Sequence, residues 1–349
     1  MNRRQLTFAR EFRGYSQSDL SNAINGLSQP NLSKYEKGFG FLSKEVQESI
    51  AKFLDFPIEF FELEIGNKIV NGNYRKRSTV TKNLIQNFEY SCKLVGYIID
   101  ELSQTIDWPE AKYTPINVEE GYSPEYIAQF IRRKLKIDSY SPVKNIFKAI
   151  ESLGIIIYEL PTDIKFDGVS FITDKGFPLI VINKNFPNDR KRFTLAHELG
   201  HILMHNEHSF IISEYRDKEK EANSFAAEFL MPEESCKNNL RGIKFNDLAD
   251  YKQYWLTSMA FVIRRAYDLG CINKNEYTYF NIQMSRFGYS KVEPVKVFID
   301  EPVNFNKSIS LMETELEYTF DDLLNYFTLP KDIVNSLILQ KKSNMTILT

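Results

Sequence analysis

The sequence predicts a multi-domain α+β protein, in which an all-α N-terminal region precedes a mixed α+β region. The chain has 349 residues, which exceeds one ordinary domain and suggests two or three. Short amphipathic helical patterns fill residues 1–64. Short apolar runs typical of strands lie between residues 155 and 183, and further helical patterns follow them. Helices and strands are therefore expected in separate parts of the chain.

The composition is that of an ordinary soluble protein, with 43% hydrophobic and 26% charged residues. A formal net charge of −2 gives no global nucleic-acid signal, so any such signal must be local. Cys92, Cys236 and Cys271 are far apart and odd in number, which argues against a disulfide framework and is typical of a reducing compartment. No signal-peptide pattern or membrane-length apolar run is present, so we expect a cytoplasmic protein without a membrane partner.

Residues 1–64 are predicted to form a helix-turn-helix domain. Ser16 and Asp19 have the spacing of a capping box, Asn25-Gly26 is a turn, and Ser28 can cap the next helix. Two short helices around a glycine turn are the helix-turn-helix pattern. The stretch from Tyr15 to Gly38 resembles the XRE class of phage-repressor-like DNA-binding domains.

That resemblance suggests which residues would contact DNA. The amides of Gln29 and Asn31 suit adenine edges in a major groove, and Arg13, Lys34 and Lys37 suit phosphates. The candidate base-reading helix thus offers Gln29, Asn31, Ser33 and Lys34. Residues 1–60 contain eight basic and seven acidic residues, which is barely basic. A small helical bundle that binds protein is therefore the alternative.

Residues 65–110 are predicted to form a basic linker and a spacer helix. Residues 68–82 contain five basic residues and no acidic one, which indicates a solvated linker, with an extra phosphate contact as the alternative. A helical pattern then runs from Val80 to about Ile106. Its apolar face is expected to pack on a neighbouring domain, although a dimer helix is an open alternative, and with it a homodimer.

Residues 111–294 are predicted to form the α+β domain. Helices are expected to begin near Ser123 and Ser141. The three predicted strands are 155–160, 169–173 and 179–183. Pro178 favours an edge position for the last strand, because proline cannot donate to a sheet ladder. Asn188 or Asp189 is then expected to cap the next helix.

That helix contains the H-E-x-x-H pattern as His197, Glu198 and His201. Residues four apart share one helix face, so two imidazoles can hold one Zn²⁺, and Glu198 can take a proton from an activated water. The alternative is a buried helix whose histidines are satisfied core groups. Against it, all four histidines of the chain fall between residues 197 and 208, in an apolar setting where a metal would offset the cost of burial. Gly200 costs about 1 kcal/mol within a helix, which suggests close packing there.

A third ligand is expected from the following helix, residues 217–231. At helical period Glu219, Ala222, Asn223, Ala226 and Leu230 form the inward face, and Lys220, Glu221, Ser224 and Glu228 form the solvated face. Glu219 is therefore the candidate ligand, and Asn223 is the candidate residue that orients a ligand by a hydrogen bond. His205 is a rival ligand, but the longer pattern H-E-x-x-H-x-x-G-x-x-H fails at Met204 and Glu207. His205 and His208 are instead expected near the helix end, where a cation suits the dipole.

The segment from Phe166 to Pro232 resembles the ImmA/IrrE family of metallopeptidases. The resemblance lies in 168–171 (GVSF), 178–183 (PLIVIN), 192–201 (RFTLAHELGH) and the Glu219-x-x-Ala222-Asn223 stretch, and it continues through 254–294. It implies a zincin-like α+β metallopeptidase fold, a Glu as third ligand and cleavage of a protein partner, often a helix-turn-helix repressor. In such a fold an extended substrate adds to a sheet edge beside the metal helix. Tyr and Arg side chains around Trp255, Met259, Val262, Ile263 and Tyr267 are expected at the far wall of the cleft.

Residues 295–349 match no pattern beyond two short helices near Phe320 and Ile333, and we expect an appendage for specificity or docking. Taken together, the sequence predicts a regulatory metalloendopeptidase that uses Zn²⁺, with Mn²⁺ as the alternative cation. Its expected substrate is a repressor or a toxin, and its expected second partner is DNA, through residues 1–64. The competing hypothesis is a transcriptional regulator or antitoxin whose peptidase-like domain serves as a sensing or binding module.

Overall fold

A computed structural model describes residues 1–66, 82–163, 166–206 and 209–340. The N-terminal helices are α1 (Arg3–Phe12), α2 (Gln17–Ala23), α3 (Gln29–Glu36) and α4 (Lys44–Leu54), followed by a 3₁₀ turn (Ile58–Glu62). The predicted capping box at Ser16 and Asp19 is present, and the Ser28 hydroxyl accepts from the Asn31 amide at the start of α3. The basic stretch predicted as a linker, residues 68–82, lies outside the described residues except for Lys82.

Helix α5 (Lys82–Leu102) packs on α1, as its apolar face predicts. The Asn87 amide donates to the Phe12 carbonyl over 2.8 Å, and the Tyr90 hydroxyl donates to a Glu11 carboxylate oxygen over 2.6 Å. The rings of Phe8 and Tyr90 lie 4.5 Å apart at their centroids. The helix therefore extends the N-terminal core toward the next part of the chain.

The central region contains a three-stranded sheet. Its elements are α6 (Pro124–Lys134), α7 (Ile146–Glu151), β1 (Ile156–Leu160), β2 (Gly168–Ile172) and β3 (Pro178–Asn183). The strand order is β1-β3-β2, with β1 parallel and β2 antiparallel to β3. The prediction that Pro178 marks an edge strand is therefore wrong, because β3 is central. Proline is tolerated there as the first residue of the strand.

The sheet separates two apolar cores because strand side chains alternate between its faces. Tyr158 of β1 and Val181 of β3 belong to one core, while Ile157 and Ile182 belong to the other. The second core lies under α8 (Asn188–Met204) and α9 (Lys218–Leu230). Helices α8 and α9 pack closely against each other, and α8 also contacts β2 and β3.

A third core lies beyond α9. It is built by α10 (Glu233–Leu240), α11 (Leu248–Trp255), α12 (Met259–Asp268) and α13 (Lys274–Arg286). Trp255, Met259, Val262 and Ile263 are buried there.

The C-terminal segment returns to the first core. It forms α14 (Asn304–Thr314), α15 (Phe320–Phe327) and α16 (Lys331–Ile333), which runs into a π turn. The Tyr97 hydroxyl of α5 donates to the Phe327 carbonyl over 3.0 Å, and the Tyr158 hydroxyl of β1 donates to the Leu337 carbonyl over 2.8 Å. The two predicted short helices are therefore present and pack on α5 and the sheet. Within the described residues, no helix is long and apolar enough to cross a membrane.

Candidate metal centre and cleft

Helix α8 brings two imidazoles together, as the four-residue spacing predicts. The Nε2 atoms of His197 and His201 lie 3.1 Å apart. Both rings are largely shielded from solvent, with 15% and 2% of their side-chain surfaces exposed. Two ring nitrogens that face each other at this distance need a proton or a cation between them, because their lone pairs otherwise repel.

Helix α9 supplies a carboxylate to the same point. The two Glu219 oxygens lie 3.3 Å from the Nε2 atoms of His197 and His201. All three candidate ligand atoms lie within 4.8 Å of one another. We call His197, His201 and Glu219 the ligand triad.

The spacing of the ligand triad suits a tetrahedral cation site. Zinc binds imidazole nitrogen and carboxylate oxygen at about 2.0–2.2 Å, and tetrahedral ligands at that radius lie about 3.3 Å apart. The separations of 3.1 and 3.3 Å match this value. Two neutral imidazoles and one carboxylate are also a donor set that zinc uses in catalytic sites.

The pKa values of two ligand-triad members, Glu219 and His197, are shifted toward their charged forms. Burial alone would raise the pKa of Glu219, but hydrogen bonds from His197 and His201 hold it well below its ordinary value. Burial alone would lower the pKa of His197, but the neighbouring Glu219 and Glu198 carboxylates raise it overall. Both shifts favour a positive charge beside the Glu219 carboxylate.

Glu198 lies on the sheet side of α8 and is buried, with 4% of its surface exposed. Its Oε2 accepts a hydrogen bond from the Ser170 hydroxyl of β2 over 2.7 Å. Close approach of α8 to β2 depends on Gly168, since a Cβ there would lie 3.2 Å from Glu198 Cγ. Ser170 was not singled out from the sequence, because no spacing links it to Glu198 before the strand order is known.

Asn223 lies where the helical period predicts, one turn after Glu219. Its Oδ1 lies 3.0 Å from His197 Nδ1. The amide oxygen only accepts, so the His197 ring donates from Nδ1 and keeps the Nε2 lone pair for the ligand-triad site. Gly200 has the predicted close neighbour, because a Cβ there would lie 3.0 Å from the Phe225 ring.

Two carboxylates predicted on the solvated face of α9 bind other side chains of the protein instead. Glu221 accepts from His205 Nε2 over 2.8 Å and from Arg216 over 2.6 Å. Glu228 is 1% exposed and forms a buried ion pair with Arg265 of α12. Helical period predicts the direction of a side chain but not which distant element meets it.

His205 ends α8, as predicted, but it is not the expected cation. Its ring is buried, with Nδ1 3.0 Å from His201 Nδ1. Burial, together with the neighbouring His201, lowers the pKa of His205 to about 4. His208 lies outside the described residues.

The start of α8 also differs from the prediction. Pro187 is the N-cap, and no side chain caps the helix. Asn188 instead donates to the Val297 carbonyl over 2.9 Å, and Asp189 accepts from the buried Lys252 ammonium over 2.5 Å. The same ammonium contacts Glu293 over 2.7 Å. Lys252 therefore links Asp189 of α8 to the segment after α13.

A cleft of about 1490 Å³ opens beside the ligand triad and includes Glu219 and Asn223 in its lining. Its opposite wall is formed by α12, as predicted, and the expected arginine side chains are among those that line it. Phe261, Arg264 and Arg265 line the cleft. Trp255, Met259, Val262 and Ile263 point away from it, into the third core.

The candidate DNA contacts lie on α3. Gln29, Asn31 and Lys34 are exposed, and Ser33 is half-buried. The Gln29 amide donates to the Gln17 side chain over 3.0 Å. Arg13, expected at a phosphate, is instead committed to internal partners: it pairs with Asp332 over 2.5 Å and donates to the Leu54 carbonyl.

Residues 150–267 match Peptidase_M78, the IrrE N-terminal-like domain. The matched Peptidase_M78 segment begins in α7 and ends in α12, so it contains the sheet, α8, α9 and the wall of the cleft. It supports the metallopeptidase part of the predicted architecture. No curated protein matches the chain.

Proposed function

We propose that the chain is a regulatory metalloendopeptidase that cleaves a protein partner of the repressor or toxin kind. The observation that carries this proposal is the convergence of the three ligand-triad atoms within 4.8 Å beside a cleft. The Peptidase_M78 match supports it. Zn²⁺ is the proposed cation and Mn²⁺ the alternative, held by His197, His201 and Glu219.

The proposed chemistry divides between the cation and Glu198. A bound cation would polarise the scissile carbonyl and lower the pKa of the attacking water. Glu198 takes a proton from that water and returns it to the departing amide nitrogen. The Ser170 hydroxyl, which donates to Oε2, holds the Glu198 carboxylate in place.

The cleft favours a polypeptide over a small molecule. Its volume of about 1490 Å³ exceeds the range of about 300–1,000 Å³ typical of small-molecule pockets. Strand β2 is an edge strand of the sheet, and α8 contacts it. We propose that an extended substrate segment adds to the open edge of β2, and not to β3 as the sequence suggested, with main-chain hydrogen bonds supplying affinity.

The test of this function is Glu198→Gln, compared with Glu234→Gln, which makes the same charge change at an exposed position. Both proteins and the wild type are loaded with Zn²⁺ and incubated with a proteome-derived protein mixture, and new termini are identified by mass spectrometry. Glu198→Gln should keep its zinc and lose cleavage by about 10²- to 10⁴-fold, the usual contribution of a general base. Unchanged cleavage products from this variant would exclude the mechanism.

DNA binding by residues 1–64 is a second part of the proposal. It is supported by the exposed Gln29, Asn31 and Lys34 on one short helix. Selection of duplexes from a random pool should enrich a sequence with the wild type. Gln29→Ala should relax that preference, whereas Lys34→Ala should weaken binding to every sequence. A wild type that selects no duplex and shows no salt-dependent binding would favour the protein-docking alternative.

A transcriptional regulator or antitoxin with a sensing metallopeptidase-like domain is the second candidate function. It is favoured by one observation: helices α1–α4 share an apolar core with the face of the sheet opposite α8. A partner or ligand at the cleft could thereby influence the DNA-binding helices. Repression that survives Glu198→Gln, with no proteolysis by the wild type, would favour this function over the first.

A further inference from the structure

The two histidines of the ligand triad are oriented by different partners. His197 donates from Nδ1 to a single amide oxygen, that of the exposed Asn223. His201 faces a second imidazole instead, with its Nδ1 3.0 Å from His205 Nδ1. Both rings are buried, with 2% of the His201 side chain and none of the His205 side chain exposed. Water therefore does not replace this contact readily.

The proton positions in this contact follow from the ligand role of His201. A neutral imidazole that offers its Nε2 lone pair to a cation carries its proton on Nδ1. That N–H then donates across the 3.0 Å contact to His205 Nδ1. His205 must accept at Nδ1, so its own proton is on Nε2.

Glu221 completes the chain of hydrogen bonds. The His205 Nε2–H donates to Glu221 Oε2 over 2.8 Å. The other Glu221 oxygen accepts from Arg216 over 2.6 Å, which fixes the direction of the carboxylate. The ring protons of His201 and His205 thus each have one position that is consistent with all three hydrogen bonds.

This arrangement has a consequence for the cation site. A carboxylate that accepts from a metal-binding histidine raises the basicity of that ligand and fixes its ring. Here the negative charge of Glu221 acts on His201 through the His205 ring. His197 differs, because the partner of its Nδ1 is the neutral Asn223 amide.

We propose that His205 is a positioning residue, which Glu221 and Arg216 hold so that His201 keeps its proton on Nδ1 and directs Nε2 to the cation. This inference rests on the proposed metal site. It assigns to His205 an acceptor role in place of the ligand or surface-cation roles that the sequence allows. The hydrogen bond between Glu221 and His205 also explains why Glu221 is half-buried on a helix face expected to be solvated.

The test measures cation affinity and tautomer, not only activity. Zn²⁺ affinity of the full chain is measured by competition with a chromogenic chelator for the wild type, His205→Phe and Glu221→Gln. Glu214→Gln is the matched control, because Glu214 is exposed and the charge change is the same. His205→Phe removes the acceptor, whereas Glu221→Gln keeps the shape and removes only the charge.

We expect His205→Phe to lower Zn²⁺ affinity by about 10- to 100-fold, the usual effect of losing a partner of a metal-binding histidine. Glu221→Gln should give a smaller loss, and Glu214→Gln none. Histidine ¹⁵N NMR of the zinc-loaded wild type should show a protonated Nδ1 on His201 and a protonated Nε2 on His205. If His205→Phe does not fold, the Zn²⁺ affinity of the isosteric Glu221→Gln variant tests the inference.

The outcomes separate this inference from the proposed function. Wild-type affinity in both variants, or a His205 protonated on Nδ1, would overturn the inference and leave the metallopeptidase proposal standing. A wild type that binds no divalent cation would overturn both.

Discussion

Single residues in this protein are defined by partners that lie far away in sequence. The histidines four residues apart and Glu219 could be predicted, because helical period alone puts them on facing surfaces of two helices. Glu228 could not, because its partner Arg265 is 37 residues away and approaches from a third helix. The prediction for Glu221 failed for the same reason, since Glu221 binds a histidine at the end of the preceding helix.

Asp100 is a buried carboxyl group that should make stability depend on pH. Burial raises its pKa to about 6, although bonds from the Thr173 hydroxyl and the Lys175 amide oppose the rise. A folded-state pKa above the unfolded one gives stability below about pH 4 that is lost as pH rises through about 6. We predict that the free energy of unfolding falls between pH 4 and 7 by up to about 3 kcal/mol more in the wild type than in Asp100→Asn.

Chemical denaturation at a series of pH values checks this prediction. Asp107→Asn, at an exposed position in the same part of the chain, is the control and should follow the wild type. Parallel curves for the wild type and Asp100→Asn would show that Asp100 titrates alike in the folded and unfolded states.

At the scale of elements, the candidate centre depends on how closely α8 approaches β2 and α9. The glycine within α8 was predicted to mark close packing, and Phe225 confirms it at Gly200. The strand order could not be predicted, because strand patterns indicate where strands occur and not how they pair. Pro178 illustrates this, since a proline at a first position suits an edge and a central strand equally.

Gly168→Ala should disrupt the contact between β2 and α8. The added Cβ would lie 2.5 Å from Thr194 Cγ2 and 3.2 Å from Glu198 Cγ, which forces the elements apart. We predict a loss of about 1–3 kcal/mol in the free energy of unfolding, as for other overpacked cores. Thermal or urea unfolding of the purified variant measures it.

A second substitution tests whether this clash is the cause. Thr194→Ser removes the Cγ2 atom, so Gly168→Ala combined with Thr194→Ser should recover part of the lost stability. Strictly additive losses in the double variant would place the strain elsewhere.

At the scale of the whole molecule, the two ends of the chain share one core. Arg13, the C-cap of α1, pairs with Asp332, 319 residues later. The C-terminal helices pack on α5 and β1. The sequence predicted the short C-terminal helices but not their position, because no local pattern encodes a contact over that separation. The division into domains stays a prediction. Any such division must account for the core that the N-terminal and C-terminal helices share.

The two tryptophans report on different cores and can test this arrangement. Trp108 lies in the core shared by the chain ends, and Trp255 lies in the third core. Leu323→Ala in α15 should reduce the free energy of unfolding by about 2–5 kcal/mol. It should also lower the midpoint of the unfolding transition that Trp108 reports. In the Trp255→Phe background the Trp108 signal is read alone, and in Trp108→Phe the Trp255 signal is.

Ile263→Ala, at a buried position of the third core, is the matched control and should affect the Trp255 transition more strongly. A Trp108 transition that does not respond to Leu323→Ala would mean that the C-terminal helices do not stabilise the N-terminal core.

The central claim is that His197, His201 and Glu219 hold one divalent cation, and metal binding by the purified full chain tests it most directly. Titration with Zn²⁺, followed by calorimetry and metal analysis, should give one ion per chain in the wild type. His197→Ala and Glu219→Ala should each lose that ion, and zinc should raise the unfolding midpoint of the wild type alone. Absence of zinc uptake by the wild type, or equal uptake by the two variants, would contradict the account.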